Sequence, residues 1–320
     1  MTPICLCVLM PSLNIAVLGE DAERRASAAQ ALGKKGTADD ISFYNTVFQG
    51  KIITAIDPLA YPVKFPVLPQ TLCLSDIALV VAEKPSPVLG EIIVALDVMG
   101  MKAVFLTSVD LKPLLAATSL KDSSIFSDIQ EAREFLFAQE IPQVQGSTLI
   151  HIDHCFEVKG VGTVALGIVK RGEIGVHDRI TAYPAGKEIE VKSIQKNDDD
   201  VTTASCGDRV GLALKNVKTG EVTRGTVLST EKIRVEKELS CELSALKFSK
   251  EPLVNDEALH LSAGLQFEPC RLEVPEVVKA GEKGEGTIKT EKPVAFLKDE
   301  KLLLCDLNAK GLRISGVARY

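Results

Sequence analysis

The chain has 320 residues, 46% hydrophobic and 25% charged, with 23 Gly and 15 Pro. That balance excludes disorder, collagen and low complexity, and allows two ordinary domains or three small ones. The formal net charge is −6, so the whole surface is no basic field for DNA or RNA, and any nucleic-acid contact has to be local.

Residues 1–146 carry 11 basic and 16 acidic side chains, residues 147–230 carry 11 of each, and residues 231–320 carry 15 and 16. The acidity therefore sits at the N-terminal end. The eight cysteines (Cys5, Cys7, Cys73, Cys155, Cys206, Cys241, Cys270 and Cys305) form no C-x-x-C pair. They read as reduced thiols of a cytoplasmic protein, neither a zinc knuckle nor a disulfide framework. The first ten residues are apolar but lack a basic n-region and a full-length apolar core, so no signal peptide or membrane span is expected. Residues 1–9 read as a disordered tail or a mis-called start ahead of the first strand.

Short apolar runs at 13–18, 41–48, 52–56, 77–81 and 103–106 alternate with helical patterns at 22–32, 88–99 and 128–139. This is the signature of an α/β sheet with crossover helices. In the last helix Ile129, Ala132, Phe135, Leu136 and Ala138 give one apolar face, and Pro142 and Gly146 then mark a linker. From residue 147 the pattern changes to strands between Gly, Asp and Asn turns, at 150–158, 162–169, 179–183, 189–194 and 209–214, which reads as a β-barrel. A second barrel set lies at 234–239, 243–248, 258–267, 286–297, 301–307 and 312–318. The expected fold class is α/β plus all-β, with an α/β domain at 1–146 and two β-barrel domains at 147–230 and 231–320.

Gly19 ends the first strand ahead of a helix, the setting of a phosphate-binding loop G-x-x-x-x-G-K-[ST]. That spacing here reads Gly19-Glu20-Asp21-Ala22-Glu23-Arg24-Arg25-Ala26. Arg24 in place of the second Gly crowds the backbone cradle. Arg25 keeps a positive charge without the compact ammonium of Lys, and Ala26 offers magnesium no oxygen. Glu20, Asp21 and Glu23 put three carboxylates where a triphosphate would lie. Like charges about 4 Å apart repel by about 4 kcal/mol at an effective dielectric near 20, whereas the same acids suit the start of an ordinary helix.

Asp57-Pro58-Leu59-Ala60-Tyr61 stands where a GTPase would carry D-x-x-G. Ala60 is less able than Gly to turn its backbone to a γ-phosphate, and Tyr61 replaces a group that would orient water. Pro62, Pro66 and Pro69 disfavour a switch helix. Thr107-Ser108-Val109-Asp110 occupies the place of a guanine-reading N-K-x-D, where Asp110 can still accept from a base, and Ser127 lies near the last base-contacting position. Gly19, Arg25, Asp57 and Asp110 thus read as the remnants of a nucleotide site, which makes residues 1–146 a degenerate P-loop GTPase-like α/β domain.

The most specific series lies in the first barrel: Val158-Lys159-Gly160-Val161-Gly162-Thr163-Val164, then Gly167-x-Val169-x-x-Gly172-x-Ile174, Val191-x-Ser193-Ile194, Gly207-Asp208-Arg209-Val210-Gly211-Leu212 and Glu221-x-x-Arg224-Gly225-x-Val227-Leu228. Five motifs in order resemble domain two of translational GTPases of the elongation factor Tu class. From about residue 12 the chain looks most like an archaeal homologue of the selenocysteine-specific elongation factor, with no fourth domain. Ala258 to Gly264 and Arg313 to Val317 resemble the family's third domain.

The resemblance implies a translation factor that binds an aminoacyl-tRNA or another translation component. Glu221, Arg224 and Arg209 are its tRNA 3′-end candidates, since an Arg can stack on a base or pair a phosphate and a carboxylate can accept from a ribose hydroxyl. Equally open is a surface ion pair of Glu221 with Arg224 across a turn. No catalytic residue, cofactor, metal, membrane or DNA is expected. GTP or GDP with magnesium enters only if the chain is an active, non-standard GTPase. A third reading is a protein-interaction module on the same scaffold. His151 and His154 form H-x-x-H, but an offset of three on a strand sends their side chains to opposite faces, against joint metal ligation.

Overall fold

The computed structural model describes residues 11–218, 220–298 and 300–320. The expectation for residues 1–9 lies outside the described residues.

The N-terminal unit runs β1 (Ser12–Gly19), α1 (Ala22–Leu32), β2 (Lys34–Ala38), β3 (Ser42–Phe48), β4 (Lys51–Asp57), α2 (Val67–Leu74), β5 (Ile77–Val81), α3 (Pro87–Met99), β6 (Ala103–Leu106), α4 (Lys112–Leu115), β7 (Ile125–Phe126) and α5 (Ile129–Phe137). Its seven strands are ordered β2-β3-β4-β1-β5-β6-β7. β4, β1, β5, β6 and β7 run parallel, with β2 and β3 antiparallel at one edge. Every residue of β1 is buried, because helices cover both faces of a parallel sheet and leave no polar side to alternate with.

Sequence patterning does not show β2, α2, α4 or β7. The prolines do not abolish the helix after Asp57: Pro66 stands at the N-cap of α2 and Pro69 in its first turn, where a missing N–H breaks no intrahelical bond.

The first barrel comprises β8 (Leu149–Val158), β9 (Gly162–Arg171), β10 (Glu173–Gly175), β11 (Arg179–Tyr183), β12 (Lys187–Lys196), β13 (Asp199–Val201), β14 (Thr203–Ser205), β15 (Arg209–Lys215) and β16 (Val227–Ser229). The order β11-β16-β8-β9-β15-β12 closes through the β11–β12 pairing. The second barrel, β17 (Arg234–Ala245), β18 (Glu257–Ala263), β19 (Gln266–Glu273), β20 (Lys283–Phe296), β21 (Lys301–Cys305) and β22 (Ile314–Arg319), closes in the order β17-β20-β19-β18-β21-β22. Two expected strands merge into the single β17, and the expected strand 258–267 is a hairpin that turns at Gly264. The architecture is the α/β plus two-barrel arrangement expected.

The three units are packed together. Phe65, Leu68 and Leu72 share a core with Leu265, Leu303, Cys305, Ile314 and Val317 of the second barrel. Above it, Glu91 of α3 is buried and accepts from Arg313 Nη2 at 2.6 Å, Arg313 Nε at 3.0 Å and Tyr61 Oη at 2.9 Å. The first barrel docks on the start of β1, where Ser12 Oγ donates to Asp208 Oδ1 (2.6 Å) and Asn14 Nδ2 to the Gly207 carbonyl (2.9 Å). The six described cysteines are free. Among the described residues no helix is long and apolar enough to cross a membrane.

His151 is buried where β8 meets the turn of the second barrel. Gly264 there has φ +55°, and a Cβ on it would stand 2.8 Å from His151 Cε1. Burial, assisted by Lys170, lowers the imidazole to about 4 from 6.5. The folded chain therefore binds fewer protons than the unfolded chain between those values. The His151 contribution to stability should be flat above pH 6.5 and fall as pH drops from 6.5 toward 4, by up to about 3 kcal/mol. Denaturation at pH 7.5 and 4.5 should show the loss between them smaller by about 2.5 kcal/mol in His151→Gln; an equal loss in both proteins would contradict it.

Candidate functional site

At the end of β1 the backbone itself needs Gly19, since a Cβ would stand 2.6 Å from the Val81 carbonyl oxygen on neighbouring β5. Asp21 is the N-cap of α1, accepting from Arg24 N at 2.9 Å. One of the three loop carboxylates thus serves the helix start. Arg24 is exposed and reaches Glu83 at 2.5 Å.

Arg25 turns the other way. Its side chain and that of Asp57 are both 0% exposed, and Nε meets Asp57 Oδ1 at 2.5 Å. Nη1 donates to the Gly19 carbonyl at 2.8 Å, and Nη2 to the carbonyls of Pro58 at 3.3 Å and Leu59 at 3.4 Å. One guanidinium therefore joins the loop after β1 to the loop after β4. A planar fork of donors makes such a multiple contact, which a Lys ammonium cannot. Burial holds the Asp57 carboxyl above the usual carboxylate range, and the Arg25 charge offsets only part of that rise. Burial also raises the Tyr44 hydroxyl, and the Asp57 charge adds to the effect. Among the described residues Asp57 Oδ2, Tyr44 Oη and Ser42 Oγ have no hydrogen-bond partner.

Two adjoining clefts open at the C-terminal ends of the parallel strands, where α/β sheets bind ligands. One, of about 450 Å³, is lined by Arg24, Ser27, Thr107, Ser108, Ser127 and Asp128. The other, of about 340 Å³, is lined by Glu20, Asp21, Arg24, Glu83, Lys84 and Ser86. The first offers hydroxyls, the second mainly acids. Asp110 lines neither; it is exposed and accepts from Lys112 N at 3.0 Å, shaping the turn into α4.

The barrel candidates lie in two settings. Arg209 forks onto Asp153 at 2.6 and 3.1 Å, with its guanidinium 3.4 Å from the centre of the Phe43 ring on β3. Arg224 donates from Nε to the Asp153 carbonyl at 2.9 Å and from Nη1 to Asp40 Oδ1 at 2.6 Å. Glu221 instead pairs with Lys187 and accepts from Lys218 N at 2.7 Å, and these contacts hold its carboxyl below the usual range. The expected Glu221–Arg224 ion pair is not formed, because each finds another partner.

Arg224 lines both a 160 Å³ hollow between the N-terminal unit and the barrel, with Asp39, Phe43, Asp153 and Arg209, and a 270 Å³ cleft on the outer barrel edge. Thr163, Thr223, His154 and Phe156 line the outer cleft with it, and the His154 and Phe156 rings lie 5.6 Å apart. Sequence reading misses Phe156. Its signal was an aromatic on an outward position of β8, and it is 38% exposed. His151 and His154 lie in separate surroundings, one buried and one exposed.

Residues 162–229 match the family described as elongation factor Tu domain 2. An uncharacterized protein of Methanocaldococcus jannaschii is 36% identical over 296 residues, covering 90% of this chain and 94% of its own length. The selenocysteine-specific elongation factor of the same organism is 27% identical over 331 residues, covering 88% of this chain and 71% of its own. Among solved structures, translation elongation factor SelB of Methanococcus maripaludis in complex with the GTP analogue GppNHp is similar with a TM-score of 0.85 at 22% identity, over 97% of this chain and 79% of that one.

Because Arg25 is sealed from water, Asp57→Ala strands a buried guanidinium and should destabilise the protein by about 3–5 kcal/mol, while an Arg25→Met, Asp57→Leu double variant should recover much of that loss. Urea unfolding measures both; a loss below about 1 kcal/mol for Asp57→Ala would contradict a dry ion pair.

Proposed function

We propose a function from one premise: the chain belongs to the translational GTPase superfamily, as a relative of the selenocysteine-specific elongation factor. The function is nucleotide-independent binding of the acceptor end of an aminoacyl-tRNA in the cytoplasm, without GTP hydrolysis, on the outer edge of the first barrel.

The observation that carries it is the buried Arg25–Asp57 pair. A GTPase switch works because a γ-phosphate and its magnesium hold loops that relax on hydrolysis. Here the loop after Asp57 is already held, through the Pro58 and Leu59 carbonyls, by a side chain that cannot leave. An incoming triphosphate would have to break a dry ion pair and lie beside Glu20 and Asp21. Neither the position of Ala26 nor that of Ala60 supplies the groups that would compensate.

For the RNA end, the Phe156 and His154 rings provide a stacking surface in a cleft that Arg224 also lines, and Thr163 and Thr223 add hydroxyls there. Glu221, ionised and exposed, can accept from a ribose hydroxyl. Single-stranded RNA ends are recognised by this combination of stacking, Arg contact and hydroxyl pairing.

Fluorescence anisotropy with a labelled RNA hairpin bearing an aminoacylated, single-stranded 3′ end tests the reading. Binding should be saturable, indifferent to GTP and magnesium, and weakened roughly tenfold or more by Phe156→Ala, as loss of one stacked base implies. Its salt dependence should be shallow, about 0.7 log units per phosphate contact for each tenfold rise in salt. Absence of binding at low salt would overturn the RNA assignment and favour a protein partner.

A further inference from the structure

Arg224 and Arg25 belong to different units, yet a continuous set of contacts joins them. Arg25 Nη2 holds the Pro58 and Leu59 carbonyls. The next amide, Ala60 N, donates to the Asp40 carbonyl at 3.0 Å. The Asp40 carboxylate, in the β2–β3 loop, then accepts from Arg224 Nη1 at 2.6 Å, with Asp39 Oδ2 3.7 Å from Nη2. The third nitrogen of Arg224, Nε, is bound to the Asp153 carbonyl. All three guanidinium nitrogens of Arg224 are therefore placed by groups of known position, two of them on the N-terminal unit.

We propose that Asp40 is a positioning residue for Arg224 and that the buried Arg25 fork is what holds Asp40 in place. A fixed internal cation thereby sets the orientation of an arginine in the neighbouring barrel. The inference deepens the reading of Arg224 as part of an RNA-end site, but the relay itself is a property of the free protein. The order of contacts gives it a direction. Loss of the Arg25 fork loosens the loop after Asp57, then the Asp40 loop, then Arg224. Loss of the Asp40 carboxylate loosens only Arg224 and leaves the Arg25 end intact.

A charged pair that positions a group, unlike one that only adds stability, reveals itself in local protection at the far end of the chain of contacts. The test is exchange of the Arg224 Nε–H by NMR, together with backbone hydrogen exchange over residues 57–61 and 223–226, on the full chain without RNA. In Asp40→Asn, Arg224 Nε–H should exchange at least tenfold faster while residues 57–61 keep wild-type protection. In Arg25→Lys both should exchange faster. Wild-type exchange at Arg224 Nε–H in Asp40→Asn would overturn the proposal. So would an acceleration confined to neither segment, with all amides exchanging faster by the same factor, since that reports global destabilisation. If Arg25→Lys does not fold, the Arg25→Met, Asp57→Leu double variant takes its place, with faster exchange expected at both ends and wild-type exchange at Arg224 Nε–H overturning the Arg25 half of the proposal. Because no RNA is present, a failed RNA-binding experiment and a failed relay are separate results.

Discussion

The contact on which the rest depends is the ion pair between Arg25 and Asp57. Two charges with no exposed surface form an expensive arrangement, since desolvation of each ion costs several kcal/mol and only close geometry with further hydrogen bonds offsets it. The guanidinium meets that condition by adding three backbone carbonyls to the carboxylate. The consequence is a fixed joint between the loops after β1 and β4.

Rigidity then extends outward by packing. The segment between Asp57 and α2 passes from the Arg25 fork to Tyr61, which donates to Glu91, and Glu91 is bound in turn by Arg313 of the second barrel. A shared apolar core lies directly beneath. On the other side Asp40 and Phe43 meet Arg224 and Arg209 of the first barrel. Interfaces that combine buried charge with a continuous core favour one arrangement of the units, because a sliding barrel would leave Glu91 without Arg313 or Asp40 without Arg224.

Much of this architecture was legible because hydrophobic period carries it. The buried run of β1 and the alternation along β8 and β9 are properties of local sequence, as are the Gly and Asp turns between barrel strands. The motif series around Gly207-Asp208-Arg209 and Glu221-x-x-Arg224 made the family legible too. The changes at Arg24, Arg25, Ala26 and Ala60 were visible as departures from a loop pattern. Their outcome was not, because sequence shows a retained positive charge at Arg25 but not that it faces inward and is 0% exposed. The Arg224–Asp40 contact spans 184 residues and was beyond local inference. The same is true of the outer cleft, where Phe156 matters only because Arg224 and Thr223 arrive beside it. Pro66 and Pro69 misled in the opposite direction, since a helix tolerates proline in its first turn. The acidic excess of the first 146 residues gains a partial explanation: Asp21 caps α1, Asp40 and Asp57 hold arginines, and Glu20 and Glu83 remain facing the cleft.

The most direct measurement is calorimetric titration of the full chain with GTP and with GDP, with and without magnesium, up to near-millimolar ligand. If the Arg25–Asp57 pair occupies the phosphate position as an internal ligand, no saturable heat develops under any of these conditions. Saturable binding with micromolar affinity, and above all one that magnesium strengthens, would contradict it.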